Sequence, residues 1–126
     1  MPFQGQQVNL SGPAAGALGR GILVTIDTAG RWAATGAGLA ANGVTLESAA
    51  AIDDIVNVAA LNGAKLEMQA GAAIATAGID LASNASGQAV AATIGQVLVG
   101  YSASAVGAAA EIVDVITSPA GAATPA

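Results

Sequence analysis

The sequence contains neither cysteine nor histidine. Without cysteine there is no disulfide frame and no thiolate metal site. Without histidine the commonest general base and metal ligand are both missing. Basic residues are scarce as well: Arg20, Arg31 and Lys65 stand far apart in a chain of net charge −5. Phosphate backbones are held by clustered Lys and Arg that release counterions, so nucleic acid is not expected as a partner. Long apolar helices are also lacking. Leu81 to Ala110 carries no charge, yet Asn84, Ser86, Gly87, Gln88, Thr93, Gly95, Gln96, Gly100 and Ser102 interrupt it. A membrane-spanning helix needs about 20 predominantly apolar residues with basic flanks, so no membrane is expected. The opening MPFQGQQVNL lacks the basic start and apolar run of a secretory signal, and a soluble protein is the expectation.

What the chain does have is small and apolar. Of its 126 residues 54% are hydrophobic but only 2% are aromatic, so alanine supplies much of the apolar content. Each buried carbon is worth roughly 0.8 kcal/mol, while ordering the backbone costs about 1–2 kcal/mol per residue. A core built mainly from methyl groups is thin. This predicts a fold that leans on a partner surface, copies of itself in particular.

The chain is written twice. A shift of 57 positions, which lays Gly30 on Gly87, also lays Gly21 on Gly78, Ile22 on Ile79, Gly38 on Gly95 and Gly43 on Gly100. The same shift carries DIVNV, Asp54 to Val58, onto EIVDV, Glu111 to Val115. Glycines at shared offsets followed by a matching β-branched strand indicate a duplicated half-domain.

Each half reads as a set of strands. ILVTID alternates, which predicts Ile22, Val24 and Ile26 on one face and Thr25 and Asp27 on the other. Asp27-Thr-Ala-Gly30 and Asn84-Ala-Ser-Gly87 are turns, each with a side-chain acceptor first and then a Gly free to take positive φ. RWAAT and QAVAAT are the return strands. QVNLSG, AKLEMQAG, DIVNVAAL, QVLVGYSAS and EIVDVIT supply the rest, with Leu66 and Met68 inward and Lys65, Glu67 and Gln69 outward. ESAAAIDD and SAVGAAAE fit either short helical turns or loops. Even, short spacing with Gly-rich turns predicts an all-β fold, a small β-sandwich or barrel with an internal duplication and extended terminal arms. The expected division is an N-terminal arm and first strand over 1–20, a first repeat over 21–60, a connecting strand over 61–77, a second repeat over 78–117 and a C-terminal tail over 118–126. The Pro-, Gly- and Ala-rich ends MPFQG and SPAGAATPA suit extended arms.

Chemistry-bearing constellations are few. Asp53-Asp54 is the one adjacent acidic pair, and with no third carboxylate near in sequence it reads as a solvated strand end. GALGRG and GAGLAANG match neither a P-loop nor a dinucleotide-binding spacing. Serine or threonine has little to activate it beyond the single lysine, Lys65. No catalytic, cofactor-binding or metal-binding residues are assigned. Candidate contact residues are Phe3, Trp32, Tyr101, Val113, Val115 and Pro119, and the turn glycines are Gly30 and Gly87. Trp32 fits a sugar platform, a subunit contact or a plug in an alanine core equally. Val113 and Val115, opposite Ile112 and Ile116, leave two faces of the last strand to cover.

From Asp54 to Thr117 the order of elements carries a resemblance. A β-branched strand (Asp54 to Ala60) runs into a Gly-led strand (Gly63 to Met68), then Gly71 to Gly78 containing AGAAI, then Ile79 to Gly87. A strand at Val97 to Tyr101 and an Ala-rich bend precede the final EIVDVIT, Glu111 to Thr117. This pattern resembles the small capsid decoration, or cement, proteins of tailed bacteriophages. The resemblance implies a non-enzymatic β-rich protein on the outer capsid surface of a virion. It further implies a partner in the major capsid protein, self-association as a homotrimer, and stabilisation of the shell without a cofactor. A carbohydrate- or host-binding module using Trp32 or Tyr101 is the alternative, and a small oligomeric enzyme built around Asp53 and Asp54 a further one.

Overall fold

Among the residues the structure describes, ten short strands build two sheets of identical topology. The computed structural model describes residues 9–61 and 63–117, and among them there is no helix. The first sheet comprises β1 (Asn9–Pro13), β2 (Leu23–Ile26), β3 (Trp32–Ala34), β4 (Gly43–Thr45) and β5 (Ile55–Ala60), in the order β1-β5-β4-β2-β3. The second comprises β6 (Lys65–Gln69), β7 (Asp80–Ser83), β8 (Ala89–Ala91), β9 (Gly100–Ser102) and β10 (Ile112–Thr117), in the order β6-β10-β9-β7-β8. All strand pairs are antiparallel. The expected terminal arms, with Phe3 and Pro119, lie outside the described residues.

The duplication reaches down to single hydrogen bonds. Asp27 Oδ1 accepts from the N–H groups of Ala29 and Arg31, and Asn84 Oδ1 accepts from those of Ser86 and Gln88, all at 2.9 Å. These side chains pin each hairpin turn, and the glycines that follow take φ of +80° at Gly30 and +76° at Gly87. Thr45 and Ser102 also correspond. Each hydroxyl accepts from the backbone of Ile22 or Ile79 and donates to the carbonyl of Gly19 or Thr76. Asp53 and Ala110 are the non-glycine residues with positive φ among those described, at 68° and 70°.

The repeat is longer than the glycine spacing implies. β1 pairs with β5 as β6 pairs with β10: Gly12 faces Val56 where Met68 faces Val113. That correspondence is one residue out of step with the later strands. Ala14 and Leu18 correspond to Ala70 and Ile74, whereas Trp32 and Ala49 correspond to Ala89 and Val106. One residue has been added before Gly78, so an ungapped comparison loses the first strand of each half.

Each sheet curls until its edges meet. Parallel bridges join Ala14 to Trp32 and Ala70 to Ala89, closed by bonds of 2.8 Å from Ala15 N–H to the Trp32 carbonyl and from Gly71 N–H to the Ala89 carbonyl. Inside the first curl Leu18, Ile22, Val24, Trp32, Val56 and Val58 form one cluster. Leu66, Met68, Ile74, Leu81, Val113 and Val115 fill the second, which is joined by Leu23, Val44 and Ala59 from the reverse face of the first sheet. Those three face one another in register across β2, β4 and β5. Burying a valine, leucine or methionine is worth about 1.5–3 kcal/mol. The buried hydroxyls do not spoil this, because every buried side-chain polar atom among the described residues is hydrogen-bonded.

Two expectations change. Ile22, just before β2, and Val24 within it are buried together, but Ile26 is 51% exposed and Leu23 is fully buried. Alternation fails there because the second repeat covers the reverse face of the sheet. β4 forms where no strand was expected, and its three residues are held by pairing to β2 and β5 rather than by their own propensity. Of the two forms open to the segments before β5 and β10, short helical turns or loops, the structure shows loops. Asp54 and Glu111 carboxylates take up the N–H groups of Ala50 and Ala51, and of Gly107 and Ala108.

Candidate functional site

The residues most able to do chemistry are occupied in holding loops. Asp53 sits in the left-handed region and receives a bond from Arg31 Nε at 2.7 Å. That bond, and to a lesser extent the charge behind it, holds the Asp53 carboxyl below its usual pKa and raises that of the Arg31 guanidinium. Asp54 is turned to the loop it caps, with both bonds at 3.1 Å. The adjacent acids therefore serve two different neighbours, and among the described residues no three of His, Cys, Asp and Glu gather to hold a metal ion.

A cleft of about 260 Å³ lies between the sheets, lined by Arg20, Thr45, Leu46, Lys65, Leu66 and Glu67. Ligand pockets for small molecules run from about 300 to 1,000 Å³, so the space is slight. Its polar groups are also taken. Arg20 pairs with Glu67, Lys65 Nζ lies 3.9 Å from Asp114, and the Thr45 hydroxyl is engaged on both sides. All three cations of the chain are thus balanced by acids of the same chain. No basic patch results.

The candidate contact residues are apolar, and the structure divides them between core and surface. Trp32 is only 4% exposed and lies in the core of the first sheet, so of its three readings the plug holds, and Trp32 is withdrawn from the candidate contact residues. Val113 and Val115 are likewise fully buried, facing Met68 and Leu66, and are core rather than contact residues. The outward face of β10 belongs to Ile112 and Ile116. Tyr101 is 45% exposed and stands on that same outer face, opposite Ile116 on one side and Asp80 on the other. Phe3 and Pro119 lie outside the described residues.

Three exposed isoleucines escaped the sequence reading: Ile52 and Ile55 around the Asp53-Asp54 turn, and Ile94, which is 79% exposed. A signal was present. Each sits beside turn residues, Asp53-Asp54 or Thr93 and Gly95; Ile52 and Ile94 lie outside the strands, and Ile55 opens β5 on its exposed face. Among the described residues no helix is long and apolar enough to cross a membrane.

No protein-family model and no curated protein matches the chain. Among solved structures, the fold is similar to that of the head fiber gp8.5 N base of bacteriophage phi29, with a TM-score of 0.74. The match covers 94% of this chain and 100% of that one at 16% sequence identity, a likeness of fold over the whole domain.

Proposed function

We propose that this chain is a non-enzymatic structural protein of a phage virion, a decoration or cement subunit on the outer surface of the head. In this reading it contacts the major capsid protein, associates with itself as a homotrimer and stabilises the shell. The observation that carries the reading is the end-to-end likeness of fold to a phage head fiber base. It agrees with the resemblance borne by the order of elements from Asp54 to Thr117.

The surface suggests how such a subunit holds on. Its cations are internally paired, and exposed ion pairs are worth only about 0–1 kcal/mol each. They are screened further over a Debye length of about 8–10 Å. Exposed Ile52, Ile55 and Ile94 offer apolar contacts that salt does not weaken. A weak contact repeated by an oligomer over a lattice gains from effective concentration, so no single copy has to bind tightly. The alternative of a sugar-binding module loses its best residue with the burial of Trp32.

The test is a titration of undecorated heads with purified protein at low and moderately high salt, read by bound stoichiometry and by thermal melting. Saturable binding that changes little with salt is expected, with shells that resist heat better when occupied. Removing residues 1–5 or 118–126 weakens binding more than neutralising Arg31 or Lys65. Absence of saturable binding at either salt would sink the proposal, and binding stripped by salt would overturn the apolar mechanism alone.

A further inference from the structure

The two sheets do not meet by a symmetric contact. The reverse face of the first sheet packs on one flank of the second, and each half of that contact has an open counterpart elsewhere on the molecule. On the packed side Leu23, Val44 and Ala59 are fully buried. Their counterparts in the second sheet are Asp80 and Tyr101, both exposed, and the half-buried Ile116, a face that no strand of the described residues covers. On the receiving side Leu66, Ser83 and Gly87 are buried beneath the first sheet. Their counterparts in the first sheet, Leu10, Ile26 and Gly30, are exposed.

We infer that the Tyr101 face of one chain docks on the Ile26 face of a second copy, repeating between chains the contact that joins the two sheets within one. This deepens the self-assembly part of the proposed function and specifies a head-to-tail interface. A contact of this type, used once inside a chain, leaves one unfilled half at each end, and it closes only in a ring or continues as a filament. Repeat arrays that stop at a single chain carry polar outer faces on their end units. Here both end faces present large apolar side chains instead.

The backbone is ready as well. Within the chain, Leu23 N–H bonds to the Gly87 carbonyl at 2.7 Å and Gly38 N–H to the Ser83 carbonyl at 2.9 Å. The corresponding donors, Asp80 N–H and Gly95 N–H, have no partner among the described residues. Between copies they meet the carbonyls of Gly30 and Ile26. Charge agrees too: Asp80 arrives beside Arg31, the residue after Gly30. One bond cannot recur. Gln69 N–H reaches the Gly21 carbonyl at 2.8 Å, and Pro13, which stands in the place of Gln69, has no N–H to give.

The experiment uses the purified chain without heads, so its failure leaves the shell-binding titration untouched. Tyr101→Glu disables one face and Ile26→Glu the other; both positions are exposed, and thermal melts verify that each variant folds. Native mass spectrometry at micromolar concentration is expected to find oligomers for the unaltered chain and monomers for either variant alone. An equal mixture of the two variants is expected to form a one-to-one heterodimer and nothing larger, because each supplies the face the other lacks. A face-to-itself contact gives no such rescue. A monomeric unaltered chain, either variant assembling normally, or a mixture that stays monomeric each overturns the inference.

Discussion

Alanine at Gly30 and at Gly87 is the same substitution in the same turn of two repeats, in different surroundings. Both glycines have φ in the left-handed region, where a side chain costs roughly 1–2 kcal/mol. Alanine also restricts the unfolded chain, to the same extent at both sites. These shared effects cancel when the two variants are compared. What remains is packing. A Cβ at Gly30 meets nothing within 4 Å, while a Cβ at Gly87 comes within 2.6 Å of the Leu23 carbonyl oxygen and 2.7 Å of Ile22 Cγ2. Overpacking of this kind costs about 1–3 kcal/mol. Displacing the Leu23–Gly87 hydrogen bond adds about 0.5–1.5 kcal/mol. Gly87→Ala is therefore expected to be less stable than Gly30→Ala by about 1.5–4.5 kcal/mol, a large share of the 5–15 kcal/mol typical of a domain. Urea unfolding measures the difference as a shift in midpoint at constant slope. Gly30→Asn, which tolerates left-handed geometry, serves as a near-neutral control. Equal destabilisation by the two alanines would refute the asymmetric packing of the repeats, and with it the template for assembly between copies.

Trp32→Ala should cost about 3–5 kcal/mol in the same unfolding assay while leaving shell binding of the folded fraction unchanged; a lost contact without lost stability would return Trp32 to the surface. Asp54→Ala and Glu111→Ala each remove a carboxylate that accepts two backbone N–H groups, and each should cost about 1–3 kcal/mol. The two losses should add within about 0.5 kcal/mol in the double variant if the loops are independent, which chemical denaturation reads directly. The Asp53 carboxyl is held below its usual pKa chiefly by its bond from Arg31. The unfolded chain therefore binds the proton first as pH falls, so this bond's contribution is complete above the ordinary aspartate pKa and disappears as pH drops through the lowered folded value. In Arg31→Gln, NMR titration should find the Asp53 pKa raised toward its ordinary value, with a flatter acid limb of stability; an unmoved Asp53 would contradict the pairing.

Several features were legible because local chemistry decides them. The Asp27 and Asn84 turns require an acceptor followed by a residue at ease with positive φ, and both requirements are visible as residue types. The Leu66 and Met68 alternation in β6 shows its buried face directly, since one side of that strand stays wet. The all-β class and the duplication follow from such signals repeated along the chain. β4 could not be read this way, because Gly43–Thr45 becomes a strand only by lying between β2 and β5. The correspondence of β1 with β6 was hidden by a single added residue, which costs little in a loop but breaks an ungapped match.

Burial at Trp32, Val113 and Val115 illustrates the remaining limit. Residue type states that a side chain gains from leaving water, and the strand period states which neighbours share its side. Neither states whether that side meets the same chain or another molecule. Composition, charge and period thus determined the class of fold, its duplication and the turns that punctuate it. The curling of each sheet and the stacking of one repeat on the other decided which apolar faces were used up. Leu23 and Asp80 occupy corresponding places in two copies of one topology, and only the packed second sheet, covering the one and leaving the other open, separates core from contact surface.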